Sequence, residues 1–163
     1  MSASPGNPLL PFLKRQSALI LDGGLATTLE DRGFELADEL WSARVLLDDP
    51  EAIAAVHRDF LAAGADCLTT ATYQATIAGL VKRGLSPAGA RAQLELAVRL
   101  AVTARDEFWS VEGNRSGRMK PLVAASVGPY GAFLADGSEY VGNYDLGPDE
   151  LLEFHRERWN ILA

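Results

Sequence analysis

The sequence predicts an α/β fold in which parallel strands alternate with crossover helices, and three observations support this prediction. Residues 17–22, 66–72 and 121–127 are short apolar runs with the composition of buried strands. Long helical patterns lie between these runs, and another follows the last run. The strand runs are apolar on both faces, which is typical of parallel strands that are covered on both sides.

The first unit starts with the strand predicted at residues 17–22, which a double-glycine turn closes. A helix is then expected to begin at Pro50, because Asp49 is a favoured N-cap residue and proline suits the first helical position. Gly64 is placed to end this helix in a left-handed conformation. The apolar stripe of the helix consists of Ile53, Val56, Phe60 and Leu61.

The second unit combines the strand predicted at residues 66–72 with a long helix that begins at Pro87. The polar segment 112–120 that follows is predicted to be an exposed loop. The third strand, at residues 121–127, precedes a long loop that is rich in Gly, Tyr and Asp. A last helix is predicted to begin at Pro148, with one apolar face formed by Leu152, Trp159 and Leu162.

The three βα units are unusually long. Their strands start at residues 17, 66 and 121, whereas a minimal barrel of eight units in about 250 residues leaves only about 31 residues per unit. The units therefore carry large insertions, mostly after the strands, where α/β proteins place their chemistry. Three units cannot close a barrel, so we expect the natural folding unit to be longer than this chain.

Composition and charge argue against several classes of function. The 163 residues are 48% hydrophobic and carry a formal net charge of −7, which disfavours binding to nucleic acid or to an anionic membrane. No apolar run is long enough to span a membrane, and the N-terminus has no recognisable signal peptide. Because Cys67 is the one cysteine, no internal disulfide can form, and we expect a cytoplasmic protein. The sequence does not predict an oligomeric state.

The first group of candidate site residues is Asp22, Gly23 and Gly24, at the end of the first predicted strand. A carboxylate there can accept hydrogen bonds from an ammonium group, and the two glycines allow a ligand carboxylate to approach backbone N–H groups. Together they suit both charged ends of an amino acid. The alternative is a plain β-turn in which the aspartate caps the next turn.

The second group follows the second predicted strand. Strand alternation puts Thr70 and Thr72 on one face and Thr69 on the other. Gln74 lies just past the strand, where its amide can donate and accept hydrogen bonds. The alternative is that threonines merely suit strands. We expect Cys67 to be a buried small side chain rather than a ligand.

The third group lies in the long loop after the third strand and includes Ser126 and Tyr130. A loop of this length between two elements is usually functional, and the tyrosines at 130, 140 and 144 could stack on a cationic ligand. A self-packed surface loop is the equally weighted alternative. We expect His57 and His155, on helices without metal-ligand spacing, to be solvated or half-buried.

Three strings together resemble one family: LDGGLATTLEDRGFELADELWS at residues 21–42, TTATYQAT at 69–76 and ASVGPYGAFLADGSEYVGNY at 125–144. The resemblance is to the homocysteine S-methyltransferases, in the branch that uses S-methylmethionine or S-adenosylmethionine as methyl donor. It implies a (β/α)₈ TIM barrel that binds homocysteine at its C-terminal mouth. Residues 1–163 would supply the first three βα units and the start of the next, truncated before the fourth strand.

The resemblance also implies which residues contact the substrates. By this resemblance Ser126, Tyr130 and the loop that follows would border the methyl-donor side. The implied substrate-binding residues are Asp22, Gly23, Gly24, Thr70, Gln74, Ser126 and Tyr130.

The family further implies a zinc ion, held by three cysteines, that binds the homocysteine sulfur and makes it a thiolate. This chain departs from that pattern, because it contains neither the Asn-Cys nor the Gly-Gly-Cys-Cys segment, nor the glutamate expected on a fourth strand. We therefore expect the chain alone to hold no catalytic or zinc-binding residue, to be inactive and to fold poorly. The zinc is expected for the full-length family member.

Two other functions remain open from the sequence. The first is a non-catalytic protein of this fold that binds an amino acid or a partner. The second is another barrel enzyme, such as an aldolase-type lyase, which normally needs a lysine at a strand end for Schiff-base chemistry. None of the three lysines, Lys14, Lys82 and Lys120, ends a predicted strand.

Overall fold

The computed structural model describes residues 6–35 and 42–163. Within these ranges the chain alternates helices with a small parallel sheet. The helices are α1 Leu10–Gln16, α2 Leu25–Asp31, α3 Ser42–Asp48, α4 Pro50–Ala63, α5 Ile77–Lys82, α6 Pro87–Ser110, α7 Tyr130–Leu134 and α8 Pro148–Leu162. The strands are β1 Cys67–Thr69 and β2 Leu122–Ala124, and Glu112–Arg115 and Ser138–Tyr140 form 3-10 helices.

The two strands pair in parallel, which confirms the predicted strand direction. Leu68 lies opposite Val123 in this register. On its other side β1 pairs with the first apolar segment, because Leu21 forms a parallel bridge with Cys67. The Asp22 N–H also donates to the Cys67 carbonyl at 3.0 Å. The three segments therefore lie side by side in chain order, and their carboxyl ends meet at one edge.

The predicted first strand, residues 17–22, is not a regular strand, which corrects the prediction. Ser17 ends α1 with a left-handed φ of 64°, and Leu21 alone forms a bridge. Ile20 and Leu21 are 56% and 58% exposed, although the sequence predicts a strand buried on both faces. The reason is that, among the described residues, the backbone groups of Ile20 and Asp22 pair only with Asp66 and Cys67, so one edge of the segment and much of its apolar surface stay uncovered.

The long helices begin and end where the sequence predicts. The Asp49 side chain accepts a hydrogen bond from the Ala52 N–H at 3.1 Å, and Gly64 ends α4 with φ 113°. Ser86 caps α6 in the same way through the Gly89 N–H. α4 and α6 pack against one another and against the sheet. One core cluster joins them to β1 through Leu61, Leu68, Ala101 and Ala104.

Two helix residues differ from prediction. His57 is 1% exposed, not solvated or half-buried, because it lies one turn after Ile53 on the buried face of α4. On α8, Leu152 and Trp159 are 58% and 61% exposed, whereas Arg158 is 2% exposed. α8 thus turns a different face inward, the one that carries Arg158 and Leu162. His155 is half-buried, as predicted.

The insertions after the strands contain short helices that periodicity did not reveal, namely α2, α3, α5 and α7. They are only five to seven residues long, too short for an apolar period to stand out. None of the helices in the described part of the chain is long and apolar enough to cross a membrane.

Candidate functional site

A hollow of about 370 Å³ lies at the carboxyl ends of the strands. Four of the predicted site residues line it together: Gly24, Thr70, Gln74 and Ser126. They come from the three segments that the sheet sets side by side, so strand pairing brings them to one place. The remaining polar and aromatic lining includes Thr69, Tyr73, Glu139 and Tyr140.

Asp22 lies behind this lining and is bound to β1. Its Oδ2 accepts from the Thr69 N–H at 2.8 Å, and its Oδ1 accepts from the Thr69 hydroxyl at 2.9 Å. Burial raises the pKa of the Asp22 carboxyl, and the Thr69 hydrogen bonds oppose that rise without cancelling it. Asp22 therefore links the first segment to β1, and its oxygens keep lone pairs that Thr69 does not use.

Gly23 and Gly24 have different surroundings. A Cβ on Gly23 would lie 2.7 Å from the ring of Phe60, so a larger residue would collide with α4. Gly24 precedes α2 and lines the hollow, where its backbone is accessible to a ligand.

A buried hydroxyl network fixes Ser126 against β1. Thr72 donates from its hydroxyl to the Ser126 carbonyl at 2.7 Å, and the Ser126 N–H donates to the Thr70 hydroxyl at 3.0 Å. Because the Thr72 proton is used on Ser126, the Thr70 hydroxyl donates to Thr72 across 2.6 Å. Thr70 and Thr72 are therefore in contact, but strand alternation is not the reason. β1 is Cys67–Thr69 rather than the predicted 66–72, and Thr69, Thr70 and Ala71 all line the hollow. The hydroxyls of Thr70 and Thr72 join the ends of both strands.

We expect Thr70→Val to lower the free energy of unfolding by about 2 kcal/mol, because it leaves the Ser126 N–H and the Thr72 hydroxyl buried without their partner. Valine has nearly the same shape, so little packing is lost. Urea denaturation followed by circular dichroism measures the change. Thr103→Val, on an exposed position of α6, is the control and should shift stability by less than about 0.5 kcal/mol. Equal shifts for the two variants would contradict the network.

One wall of the hollow combines aromatic rings with a carboxylate. The Tyr73 hydroxyl donates to Glu139 Oε2 at 3.2 Å, and Tyr140 follows Glu139 directly. The pKa of Tyr73 is raised, mainly by burial and then by the Glu139 charge. Aromatic faces beside a carboxylate attract a cation. Glu139 had no predicted role of its own, although the Asp-Gly-Ser-Glu-Tyr segment that contains it was noted.

Tyr130 lies apart from the lining, in an aromatic cluster. Its ring centroid is 5.5 Å from Tyr144 and 4.9 Å from Phe154. A Cβ on neighbouring Gly131 would lie 2.4 Å from the Glu139 backbone nitrogen, so α7 packs closely on the segment that carries Glu139. The two predicted roles of the loop, packing on itself and lining a ligand site, are therefore divided among its tyrosines. Tyr130 and Tyr144 pack within the loop, whereas Tyr140 lines the hollow.

Arg158 was missed by the sequence analysis. Its guanidinium donates from Nη2 to the Gly128 carbonyl at 2.5 Å and from Nη1 to the carbonyls of Tyr73 and Ala75, each at 3.4 Å. The sequence feature that could have indicated its burial is its spacing, because Arg158 lies four residues after Phe154 and four before Leu162, on the same helix face. An arginine at such a position is usually assigned to the surface.

The residues that the structure describes do not fit a three-thiolate zinc site. No three His, Cys, Asp or Glu side chains within 6–35 and 42–163 come together in a metal-binding group. Cys67 is buried on β1, as predicted, and burial together with the nearby Asp22 charge raises the pKa of its thiol.

Comparison with known proteins agrees with this geometry. The family model described as homocysteine S-methyltransferase matches residues 19–163. Homocysteine S-methyltransferase YbgG of Bacillus subtilis (strain 168) is 56% identical over 156 residues, which are 96% of this chain and 50% of the relative. The homocysteine S-methyltransferase of Escherichia coli (strain K12) is 50% identical over 159 residues, 98% of this chain and 50% of that protein.

A solved structure shares the fold at high identity. The metallated form of the homocysteine methyltransferase MmuM from Escherichia coli matches with a TM-score of 0.88 at 50% identity, over 96% of this chain and 53% of the solved one. The chain thus spans about half the length of the relatives it matches. With a parallel α/β arrangement, a hollow at the strand ends and a family match over residues 19–163, the chain belongs to the homocysteine S-methyltransferase family.

Proposed function

We propose that this chain forms the substrate-binding part of an enzyme that transfers a methyl group from a sulfonium donor to homocysteine. The observation that carries the proposal is the hollow at the strand ends. It combines polar groups suited to an amino acid with an aromatic and acidic wall suited to a cation. Family membership supplies the reaction class.

We assign the homocysteine end of the hollow to the first two groups of predicted residues. The Gly24 backbone and the Gln74 amide are accessible there and can bind the substrate carboxylate. The Asp22 carboxylate has the charge and the free lone pairs to accept from the ammonium group. Thr70 acts by holding Ser126 in place. Tyr130 supports the loop on the donor side rather than touching the donor.

We assign the donor to the wall formed by Tyr73, Glu139 and Tyr140. In the reaction the homocysteine sulfur, after losing its proton, forms a bond to the methyl carbon. The bond from that carbon to the donor sulfur breaks, and its electron pair stays on the donor sulfur, which becomes a neutral thioether. Because the donor's positive charge disappears, this wall binds the donor more strongly than the transition state. Its contribution is therefore donor affinity and in-line orientation.

We also propose that residues 1–163 are the N-terminal part of a (β/α)₈ barrel that ends before the fourth strand. The parallel pairing of β1 and β2 and the match to about half of a solved relative support this architecture. A zinc ion in the full-length protein would need ligands that one cysteine cannot supply. We accordingly propose that this chain has no methyltransferase activity by itself.

We expect Glu139→Gln to raise the KM for the sulfonium donor about tenfold and to leave the KM for homocysteine nearly unchanged, because it removes one charge facing the donor. The measurement is the initial rate of methionine formation in the full-length protein, with S-methylmethionine and homocysteine varied in turn. The control is Glu153→Gln, on the surface of α8 and paired with Arg156. An equal rise of both KM values would contradict the assignment of this wall to the donor.

The second candidate function is a binding protein without catalysis, which would use the same polar lining of the hollow to hold an amino acid. Isothermal titration of homocysteine distinguishes the two functions when combined with the methionine assay. Binding without methionine formation in the full-length protein supports the second function.

A further inference from the structure

We propose that Arg158 is a positioning residue that holds together two neighbouring loops that line the hollow. One loop follows β1 and carries Tyr73 and Gln74, and the other follows β2 and carries Ser126. This role deepens the proposed function and rests on it only where substrate binding is concerned.

Besides the side-chain contacts already described, the backbones of the two loops meet directly between Tyr73 and Gly128. The Gly128 N–H donates to the Tyr73 carbonyl at 3.1 Å. A Cβ on Gly128 would lie 2.3 Å from that same oxygen, so only glycine permits the approach. The contact is a single backbone hydrogen bond, which leaves the Gly128 carbonyl and a second lone pair of the Tyr73 carbonyl to be satisfied.

Arg158 satisfies these groups from α8. Nη2 donates to the Gly128 carbonyl, and Nη1 reaches the carbonyls of Tyr73 and Ala75. One planar guanidinium therefore binds both loops at once, which requires its fork of donors at fixed angles. A lysine ammonium, smaller and without a fork, cannot span the same carbonyls.

The setting of Arg158 favours a positioning role over an ion pair. Its side chain is 2% exposed. Within residues 6–35 and 42–163 its hydrogen-bond partners are backbone carbonyls and the His155 ring, with no carboxylate among them. Because arginine cannot accept, His155 Nδ1 is the acceptor at 3.0 Å. Arg158 thus donates its hydrogen bonds to the backbone of the two loops and to the His155 ring on its own helix.

Arg118 provides a matched control at the opposite end of the sheet. Its guanidinium donates to the carbonyls of Leu61 and Ala65, at 2.7 and 2.6 Å, where α4 leads into β1. It also lies over the Phe108 ring at 5.1 Å. Both arginines join backbone carbonyls, but Arg158 alone does so beside the hollow. Comparing the Arg118 and Arg158 variants therefore distinguishes a general loss of stability from a change in the position of the loops at the hollow.

The first test is independent of any substrate. Hydrogen exchange of the Gly128 amide is measured in the full-length protein, with the Leu94 amide in the core of α6 as the internal reference. We expect Arg158→Met to speed Gly128 exchange about tenfold relative to Leu94, because the loop contact opens locally. Arg118→Met should change the two amides by the same factor. Equal changes of both amides in Arg158→Met would overturn the proposal.

The second test uses homocysteine. We expect Arg158→Met to raise the homocysteine Kd about tenfold and Arg118→Met to raise it less than about twofold, both measured by titration of folded protein. If the wild type does not bind homocysteine, the proposed function fails, whereas the exchange result still decides the role of Arg158. An unchanged Kd in a folded Arg158→Met variant that binds homocysteine would overturn the positioning role.

Two further variants guard against misfolding. Arg158→Lys retains the positive charge, and we expect it to show the same Gly128 exchange defect. Arg158→Ala should regain slow Gly128 exchange when guanidinium ion is added at millimolar concentration, because the free ion can occupy the same carbonyls. Tetramethylammonium, which has charge but no donor, should not restore it. Wild-type exchange in Arg158→Lys, or equal rescue by both ions, would show that charge alone matters.

Discussion

Gly128→Ala is expected to lower the free energy of unfolding by about 3 kcal/mol. The added methyl group would lie 2.3 Å from the Tyr73 carbonyl oxygen and 3.1 Å from its carbonyl carbon. These are backbone atoms, so no side chain can rotate away to relieve the collision. The loop after β2 has to move, and it loses its hydrogen bonds to Tyr73 and Arg158.

Urea denaturation of the Gly128→Ala variant measures this loss. Gly113→Ala is the control, since nothing lies within 4 Å of the position of its new Cβ and a surface substitution of this kind changes stability by less than about 0.5 kcal/mol. Ligand titration gives a second readout, because the displaced loop carries Ser126 in the hollow. A Gly128→Ala variant as stable as Gly113→Ala would show that the two loops do not meet as described.

His57 is expected to make the protein less stable by about 3 kcal/mol as the pH falls from 7 to 4. Burial lowers the pKa of His57 from its ordinary value of 6.5 to about 4. Between these two pH values the unfolded chain binds a proton at this position and the folded chain does not. Stability therefore rises with pH through this window, and the contribution of His57 is complete above about pH 7.

His57→Leu should remove most of that slope. Neither ring nitrogen of His57 has a hydrogen-bond partner among the described residues, so leucine should also raise stability at pH 7, by about 1 kcal/mol. The measurement is urea denaturation of both proteins at intervals between pH 4 and 7. The pKa of His155 is lowered as well, and the difference between wild type and variant cancels its contribution. Parallel pH profiles would mean that His57 is hydrated or hydrogen-bonded.

The hollow gains its chemistry from the convergence of loops rather than from any one segment. The Thr70 and Thr72 hydroxyls bind the backbone of Ser126, and Arg158 binds the loops that follow both strands. These contacts join residues that are 30 to 56 positions apart in sequence, so the walls of the hollow form only when the strands pair. Substitutions at these contacts should therefore affect ligand affinity and stability together.

Several features of this protein could be predicted from the sequence because their causes are local. The caps Asp49 and Ser86 act within three residues, and a proline begins each of α4, α6 and α8, so these helices begin where predicted. The alternation of strands and helices along the chain was enough to predict that the strands are parallel, because a helix between two strands returns the chain to the same end of the sheet. That direction predicted that the strand ends at Asp22, Gln74 and Ser126 would converge. Gln74 and Ser126 line one hollow, whereas Asp22 is not part of its lining.

Only the tertiary structure decided which of these residues face a ligand and which face the protein. Tyr130 packs against other aromatic rings, and Thr69 occupies part of the Asp22 carboxylate. Glu139 lines the hollow, and Gly131 lets its segment approach α7. The burial of the His57 and Arg158 side chains likewise follows from which faces of α4 and α8 pack against the rest of the protein. The physical reason is the same in each case. Contacts between residues distant in sequence depend on how elements pack, and neither residue type nor local spacing determines that packing.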